Sequence, residues 1–268
     1  MLDAATGRLR RRLRQYGDPF ALDGAARRLI LPYACGDTPG VADLCVDTLD
    51  AVTGRRIKTA DLSSQNGYPQ GPSAVAVDAR AGRAFVLYGD GRGDANIGAL
   101  ATRTGVGQGL VGDAAGSSGT IVVDEQAGRA IIATTPDNYA AGSGPGPAVA
   151  AIATVLDTHT ENDLASVMIP NNVSYSSSAP VGVAVDTKRG YAFVVATPNG
   201  ASAVSPPKST LVVLDVRGGR VLHRLALPHA IIPSGLLEIP MAVDDQTGRL
   251  FIADGTNNTV SVLDTTRL

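Results

Sequence analysis

A short phrase that occurs four times along the chain constrains the fold more than any other feature. Each copy is an apolar run ending in aspartate, a polar segment that contains glycine, and a second apolar run. The aspartate can accept hydrogen bonds from turn amides and the glycine can adopt a positive φ, so each copy predicts strand, tight turn and strand. The copies are AVAVDARAGRAFVL at 74–87, TIVVDEQAGRAIIA at 120–133, GVAVDTKRGYAFVV at 182–195 and MAVDDQTGRLFIA at 241–253.

Two further patterns complete the repeat. A degraded fifth copy, PFALDGAARRLILPY, lies at 19–33 and has Asp23 at the aspartate position. A second phrase, seen as TLDAVTGRRIKT at 48–59 and LVVLDVRGGRVLHRL at 211–225, again predicts strand, polar turn and strand. Each unit therefore holds four strands in roughly 45 to 60 residues, which is the size of a β-propeller blade.

The two ends of the chain complement each other. The last repeat stops at VLDTTRL, where its fourth strand should begin, whereas LDAATGRLRRRL at the N-terminus contains a turn and a fourth strand. The sequence thus predicts an all-β fold, a single β-propeller domain over 1–268, with five four-stranded blades closed by pairing of the N- and C-terminal strands. Closure would remove free sheet edges. In the alternative, Met1 begins in mid-repeat within a longer propeller of six or seven blades.

Composition argues against several classes of partner. The formal net charge is −2, so a nucleic acid is not expected as a partner. No run of eighteen apolar residues is present, which predicts no membrane span, and the N-terminal residues lack the apolar region of a secretory signal. We expect a monomer.

The connections between strands separate into two kinds. If the strands run outward from the axis, the short one-to-two and three-to-four turns share one face, named here the short-turn face. The two-to-three and four-to-one connections share the other, the long-loop face, where binding residues are expected because loops on a rigid scaffold carry function. The predicted long loops are 33–45, 61–73, 134–148, 169–180, 197–209 and 227–240.

Polar and aromatic side chains in or near these loops form the candidate ligand-binding set. Carboxylate and amide oxygens suit Ca²⁺ or Mg²⁺, yet no fixed spacing marks a metal site, and solvated loop residues are the favoured interpretation. His229 and Glu238 share one loop and could form an acid–base pair. The repeated aspartates could ring a cation, but turn capping is favoured. The candidate set is Asp18, Asn66, Tyr68, Asp113, Asn171, Asn172, Tyr175, His229 and Glu238.

The two cysteines, Cys35 and Cys45, stand at the ends of one predicted loop. A disulfide between them would pin the loop and indicate an oxidising compartment. Two unpaired thiols are the alternative, since this spacing matches no established cysteine motif.

The segments VAVDARAGRAFV at 75–86 and NTVSVLDTTRL at 258–268 resemble the YVTN family of β-propeller repeats, which is related to NHL-type and lactonase-type propellers. The resemblance covers essentially the whole chain and is clearest over 74–268. It implies a non-catalytic binding scaffold without a cofactor, periplasmic or at the cell surface, with a protein or small-molecule ligand on the long-loop face. The alternative that it implies is a lactonase-like hydrolase or lyase that uses Ca²⁺ or Mg²⁺.

Overall fold

A computed structural model shows how the repeats fold. Its strands form five antiparallel sheets, and in each sheet the strands lie side by side in chain order. The first strands of successive sheets contact one another, as expected when blades are arranged around an axis. No helix in the described part of the chain is long and apolar enough to cross a membrane. The structure describes residues 19–38, 41–62, 71–89, 94–116, 118–135, 149–170, 181–197, 208–231, 239–255 and 257–268.

The strand boundaries follow the repeated phrases, one sheet to a blade. Blade one contains β1 (Ala21–Asp23), β2 (Arg28–Thr38), β3 (Val41–Asp50) and β4 (Arg56–Asp61). Blade two contains β5 (Pro72–Asp78), β6 (Arg83–Gly89), β7 (Asp94–Ala101) and β8 (Gly107–Ala115). Blade three contains β9 (Ser118–Asp124), β10 (Arg129–Thr135), β11 (Val149–Asp157) and β12 (Asp163–Pro170). Blade four contains β13 (Val181–Asp186), β14 (Tyr191–Ala196), β15 (Thr210–Asp215) and β16 (Val221–Ala226). Blade five contains β17 (Met241–Asp244), β18 (Arg249–Asp254) and β19 (Thr259–Asp264), followed by a 3₁₀ turn at Thr265–Arg267.

The predicted all-β propeller is therefore confirmed as a fold class. Four blades have four strands, and the described part of blade five has three. The N-terminal strand that the sequence predicts as its fourth falls within residues 1–18, outside the described residues. Pairing of the two chain ends stays a prediction.

The aspartate of each phrase caps the turn that follows it, as predicted. In blade three, Asp124 Oδ1 accepts hydrogen bonds from the amides of Gln126 and Ala127, at 2.9 and 3.0 Å. Gly128 then adopts a φ of +67°, the left-handed conformation that lets the chain reverse. The equivalent amide bonds run from Ala26 to Asp23, from Ala81 to Asp78, from Arg189 to Asp186 and from Thr247 to Asp244.

Small and β-branched side chains pack the blades face to face. Between blades four and five, Phe193, Leu211 and Val213 form a fully buried cluster with Leu250 and Ile252. Alternation along each strand provides an apolar face for each neighbour, because successive side chains point to opposite sides of the sheet. Blade-to-blade burial is thus the main source of stability in the described fold.

Side-chain hydrogen bonds between blades supplement this packing on the short-turn face. Thr102 Oγ1 of blade two donates to Asp23 Oδ2 of blade one at 2.6 Å. Thr158 Oγ1 of blade three donates to Asp78 Oδ2 of blade two at the same distance. Each threonine is the first residue of a three-to-four turn, and each aspartate is fully buried. These bonds satisfy the carboxylate oxygen that the turn amides leave free.

The interface between blades three and four lacks this bond. Val216 of blade four occupies the threonine position: its amide donates to Gly190 O at 3.0 Å, as the amide of Thr158 donates to Gly128 O. Valine has no hydroxyl, and Asp124 Oδ2 of blade three is buried without a hydrogen-bond partner. The valine at this position of the repeat therefore leaves a buried carboxylate oxygen without a hydrogen bond.

One predicted loop proved wrong. Residues 33–45 were expected to form a long loop, but β2 and β3 continue through most of this stretch as a hairpin and pair as far as Thr38 and Val41. Cys35 and Cys45 form a disulfide across it, with a Cα–Cα distance of 5.7 Å. Gly36 is tolerated within β2 because the ladder is irregular between Cys35 and Thr38.

Candidate functional site

Most of the predicted ligand-binding set lies outside the described residues. This applies to Asp18, Asn66, Tyr68, Asn171, Asn172, Tyr175 and Glu238. Asp113 lies within β8, the outermost strand of blade two, opposite Asn96 of β7. His229 is described, in the connection that leads from blade four to blade five.

The division of the connections between two faces is confirmed by contacts at their bases. The Tyr88 hydroxyl, at the end of the second strand of blade two, donates to Leu62 O in the preceding four-to-one connection at 2.9 Å. Thr197 Oγ1, directly after the second strand of blade four, donates to Ile231 O in the following four-to-one connection at 2.6 Å. Both contacts are buried, so the long connections start from fixed points on one face.

Short turns meet in the same way on the opposite face. Arg83, after the one-to-two turn of blade two, donates from Nη1 to Thr158 O in the three-to-four turn of blade three at 2.8 Å. The same guanidinium lies 2.8 Å from Glu161 Oε1. The short-turn face is therefore as predicted.

His229 contacts a buried carboxylate on the long-loop face. Its Nε2 lies 3.4 Å from Asp254 Oδ2, where the His229 side chain is 42% exposed and the Asp254 side chain is fully buried. Nε2 is itself buried and makes no hydrogen bond to the described residues. The exposed part of the imidazole is thus the part remote from Asp254, where a ligand has access to it.

The turn after β18 holds Asp254 in place. Asn257 Nδ2 donates to Asp254 Oδ2 at 2.6 Å, and the Asn257 amide approaches Oδ1 at 3.4 Å. Asn258 follows with a φ of +51°, a conformation that asparagine tolerates better than most residues. Asn257 therefore positions the carboxylate by hydrogen bonds within the same turn.

Buried polar contacts fix the backbone that carries His229. Ser209 Oγ lies 2.6 Å from Thr197 Oγ1 and accepts a hydrogen bond from the Ile231 amide at 2.7 Å. The Ser209 amide donates to His229 O at 3.3 Å, and Leu227 donates to Ser209 O at 2.8 Å. The segment is thereby bonded to the start of β15 on both sides of the histidine.

A buried carboxylate beside a partly exposed imidazole can orient the ring and assist proton transfer at the exposed edge. The sequence predicted Glu238 as the partner of His229, and Glu238 lies outside the described residues. Asp254 was missed. Its signal was the sixth residue of the second strand, which is Tyr33, Tyr88, Thr134 or Ala196 in the other blades and a carboxylate only here.

Blade one presents a polar cluster close to the disulfide. Asp47 of β3 is fully buried, accepts a hydrogen bond from Thr59 Oγ1 at 2.5 Å and lies 3.6 Å from Arg56 Nη1. Burial raises the pKa of Tyr33 above its ordinary value, and the negative charge of Asp47 adds to the effect. The Tyr33 side chain belongs to the same hydrogen-bonded cluster, through Thr59 and Asp47.

The described residues do not assemble a Ca²⁺ or Mg²⁺ site. No group of three or more histidine, cysteine, aspartate or glutamate side chains suited to a metal occurs among them. His229 and Asp254 supply one nitrogen and one carboxylate, whereas hard cations prefer a larger set of oxygens. The oxygen-bearing candidates from the sequence lie in the undescribed connections.

Comparison with known proteins supports the fold. The chain matches no protein-family model and no curated protein. In structure, 98% of it superposes on 69% of a chain of hydrazine synthase from Kuenenia stuttgartiensis, with a TM-score of 0.65 and 16% identity. Similarly, 92% superposes on 75% of a chain in a nidogen/laminin complex (TM-score 0.51, 11% identity), and 90% on 54% of the Dos1 propeller chain (TM-score 0.50, 10% identity). At these identities the likeness establishes a β-propeller fold.

Proposed function

We propose that the protein is a YVTN-type β-propeller, a single domain over 1–268, which binds a protein or small-molecule ligand at its long-loop face without catalysis. We place it, as a monomer, in the periplasm or at the cell surface. The repeat phrases support the family, and the Cys35–Cys45 disulfide supports the compartment because such bonds persist in oxidising environments.

The anchoring of the long connections carries this proposal. Tyr88 and Thr197 bind the backbone of four-to-one connections through buried hydrogen bonds, and the disulfide ties the extended hairpin of blade one. A surface whose loops start from rigid points loses less conformational entropy when a ligand binds. The likeness to a chain in the nidogen/laminin complex is in keeping with a propeller that contacts another protein.

Matched variants of the two faces test the proposal. The triple variant Asn171→Ala, Asn172→Ala, Tyr175→Ala changes residues of the predicted long loop 169–180, and Arg80→Ala with Arg103→Ala alters exposed residues near the short turns. Each protein is immobilised and exposed to a cell-envelope extract, and retained components are quantified by mass spectrometry and then tested as purified pairs by calorimetry. We expect one component to bind the wild type and the short-turn variant and to be lost from the long-loop variant. Equal binding by all three proteins would refute the proposed face.

The contact between His229 and Asp254 favours a second candidate function, a lactonase-like hydrolase. We expect no turnover of a panel of lactones and aryl esters with Ca²⁺, with Mg²⁺ or with EDTA. Hydrolysis that the wild type catalyses and His229→Asn abolishes would replace the scaffold proposal with the enzyme.

A further inference from the structure

The second strand of blade one lacks a neighbouring strand along most of its axial edge, the edge on which β1 lies. In blades two, three and four the innermost strand pairs with nearly the whole of the second strand. β1 has only three residues and pairs with 28–30, whereas β2 continues for eleven residues to Thr38. Beyond Ile30, no strand in the described part of the chain pairs with β2 on this side.

The backbone of Ala34 points to this edge. The Leu62 amide donates to Leu44 O at 2.9 Å, so the backbone of Leu44 faces β4 and not β2. Leu44 lies opposite Ala34 in the ladder between β2 and β3. Opposite residues of an antiparallel pair that do not bond to each other direct their backbone groups outward on both sides. The N–H and C=O of Ala34, which is exposed, therefore point to the axial edge of β2.

Two prolines explain why β1 ends where it does. The ladder pairs Ala21 with Ile30, and two residues further it would place Pro19 opposite Pro32. By the alternation that applies to Ala34, the backbone of Pro32 also points to the axial edge. Proline has no N–H, so neither of these two residues could donate a hydrogen bond to the other. The ladder of β1 therefore stops before it reaches Ala34.

Other contacts keep this part of β2 extended. The ladder between β2 and β3 is regular from Arg28 to Cys35. The Cys35–Cys45 disulfide joins the two strands directly beside Ala34. An edge that is already fixed loses little conformational entropy when another strand is added to it.

The outer edges of the blades are less suited to such pairing. In blades one to four, the ladder between the third and fourth strands contains at least one irregularity. Bulges of this kind twist an edge strand and discourage its pairing with another chain. The axial edge of β2 is thus an extended edge without such protection.

We propose that the axial edge of β2, from Pro32 towards Thr38, binds an extended segment of a protein partner by strand addition. Main-chain hydrogen bonds supply much of the affinity in this mode of recognition. The added segment runs antiparallel to β2 and continues the line of β1. In other blades β-branched residues fill this place, as in TIVV at 120–123, so a segment of that type fits. The inference rests on the function proposed above, because the two-to-three connection after β2 belongs to the long-loop face.

A peptide with the sequence GTIVVD, taken from 119–124 of the innermost strand of blade three, is the probe. Its matched control carries N-methyl groups on the four residues TIVV, which removes the N–H donors of both edges and keeps every side chain. Fluorescence anisotropy with labelled peptides and the full chain should show binding of the first peptide at submillimolar concentration. The N-methylated peptide should bind at least about tenfold more weakly, a difference of roughly 1.4 kcal/mol.

Two substitutions at one position test the edge itself. Ala34→Pro removes the outward N–H without breaking a bond to β3, and it should weaken binding of the peptide at least tenfold. Ala34→Val keeps the N–H and should bind the peptide as the wild type does. The N-methylated peptide leaves the protein unchanged, so it decides the question even if Ala34→Pro fails to fold.

Several results would overturn the inference. These are absence of peptide binding at submillimolar concentration, equal binding of the N-methylated peptide, and unchanged affinity in a folded Ala34→Pro variant. Slow amide exchange at Ala34 in the free protein would also overturn it, because an edge that is already covered cannot accept another strand. If Ala34→Pro retains the same cell-envelope component as the wild type, the long-loop face stands as the binding surface and the edge of β2 does not.

Discussion

Replacing Val216 by threonine should stabilise the protein. The change restores the hydroxyl that the equivalent positions carry at the first two blade interfaces, where Thr102 and Thr158 donate to buried aspartates at 2.6 Å. Val216 is fully buried, and Asp124 Oδ2 across the interface lacks a partner. The side chains are nearly isosteric, so the new hydroxyl requires little repacking.

The expected gain follows from two opposing contributions. A hydrogen bond to a charged group contributes about 1.5–3 kcal/mol to stability. Loss of one buried methyl group costs about 0.8 kcal/mol. The net gain in the free energy of unfolding is therefore about 1 kcal/mol, which corresponds to a rise in Tm of about 2–3 °C for a domain of this size.

Urea unfolding followed by circular dichroism measures the effect, with Thr158→Val as the reciprocal variant. That variant removes the donor to Asp78 and leaves a buried carboxylate oxygen unpartnered, which should lower the free energy of unfolding by about 2–3 kcal/mol. If Val216→Thr lowers the stability, or Thr158→Val leaves it unchanged, the aspartate–threonine bond does not stabilise the blade interfaces and the reasoning is refuted.

Three further predictions concern single features of the fold. Arg27 occupies the glycine position of the first repeat with a φ of +56°, a strained conformation for a residue other than glycine. Arg27→Gly should therefore raise the free energy of unfolding by about 1 kcal/mol in urea titrations. A lower free energy of unfolding in the variant would contradict the presence of strain at Arg27. The Thr160 amide donates to Asp157 and lowers the pKa of that carboxyl below its ordinary value. A carboxyl whose pKa is depressed by folding stabilises the protein above the pKa of the unfolded state, and this stability is lost as the pH falls. The wild type should therefore lose stability below about pH 4, and Asp157→Asn should lose less over the same range. Equal slopes of stability against pH for the two proteins would contradict this. Reduction of the Cys35–Cys45 disulfide should lower the free energy of unfolding by about 2–3 kcal/mol, whereas dithiothreitol should leave a Cys35→Ser, Cys45→Ser variant unaffected.

The fold was predictable because its signal is local and repeated. The aspartate and the glycine of each phrase act within one turn, so a short stretch such as 120–133 specifies its own hairpin. Even the degraded first copy folds in the same way, with Arg27 in the left-handed conformation. Four-to-one and two-to-three connections were assigned to one face from strand order alone, and the contact between Thr197 and Ile231 confirms it.

The site was less predictable because its contacts join segments that no local pattern links. His229 meets Asp254 only because the connection into blade five passes the end of that blade's second strand. The hairpin at 33–45 was predicted as a loop, and its glycines and proline are residues typical of loops. The unpaired oxygen of Asp124 depends on a valine in the next blade, which is visible in the sequence only once the turns are aligned.

Amide hydrogen exchange with mass spectrometry tests the radial order of strands most directly. In blades two, three and four the second strand has a neighbour on both sides and is almost entirely buried, whereas the fourth strand is the outer edge. Peptides that cover β6, β10 and β14 should therefore exchange slowest, and those that cover β8, β12 and β16 fastest, with a period of one blade. Uniform protection along the chain, or the slowest exchange in the fourth strands, would contradict a propeller built from these repeats.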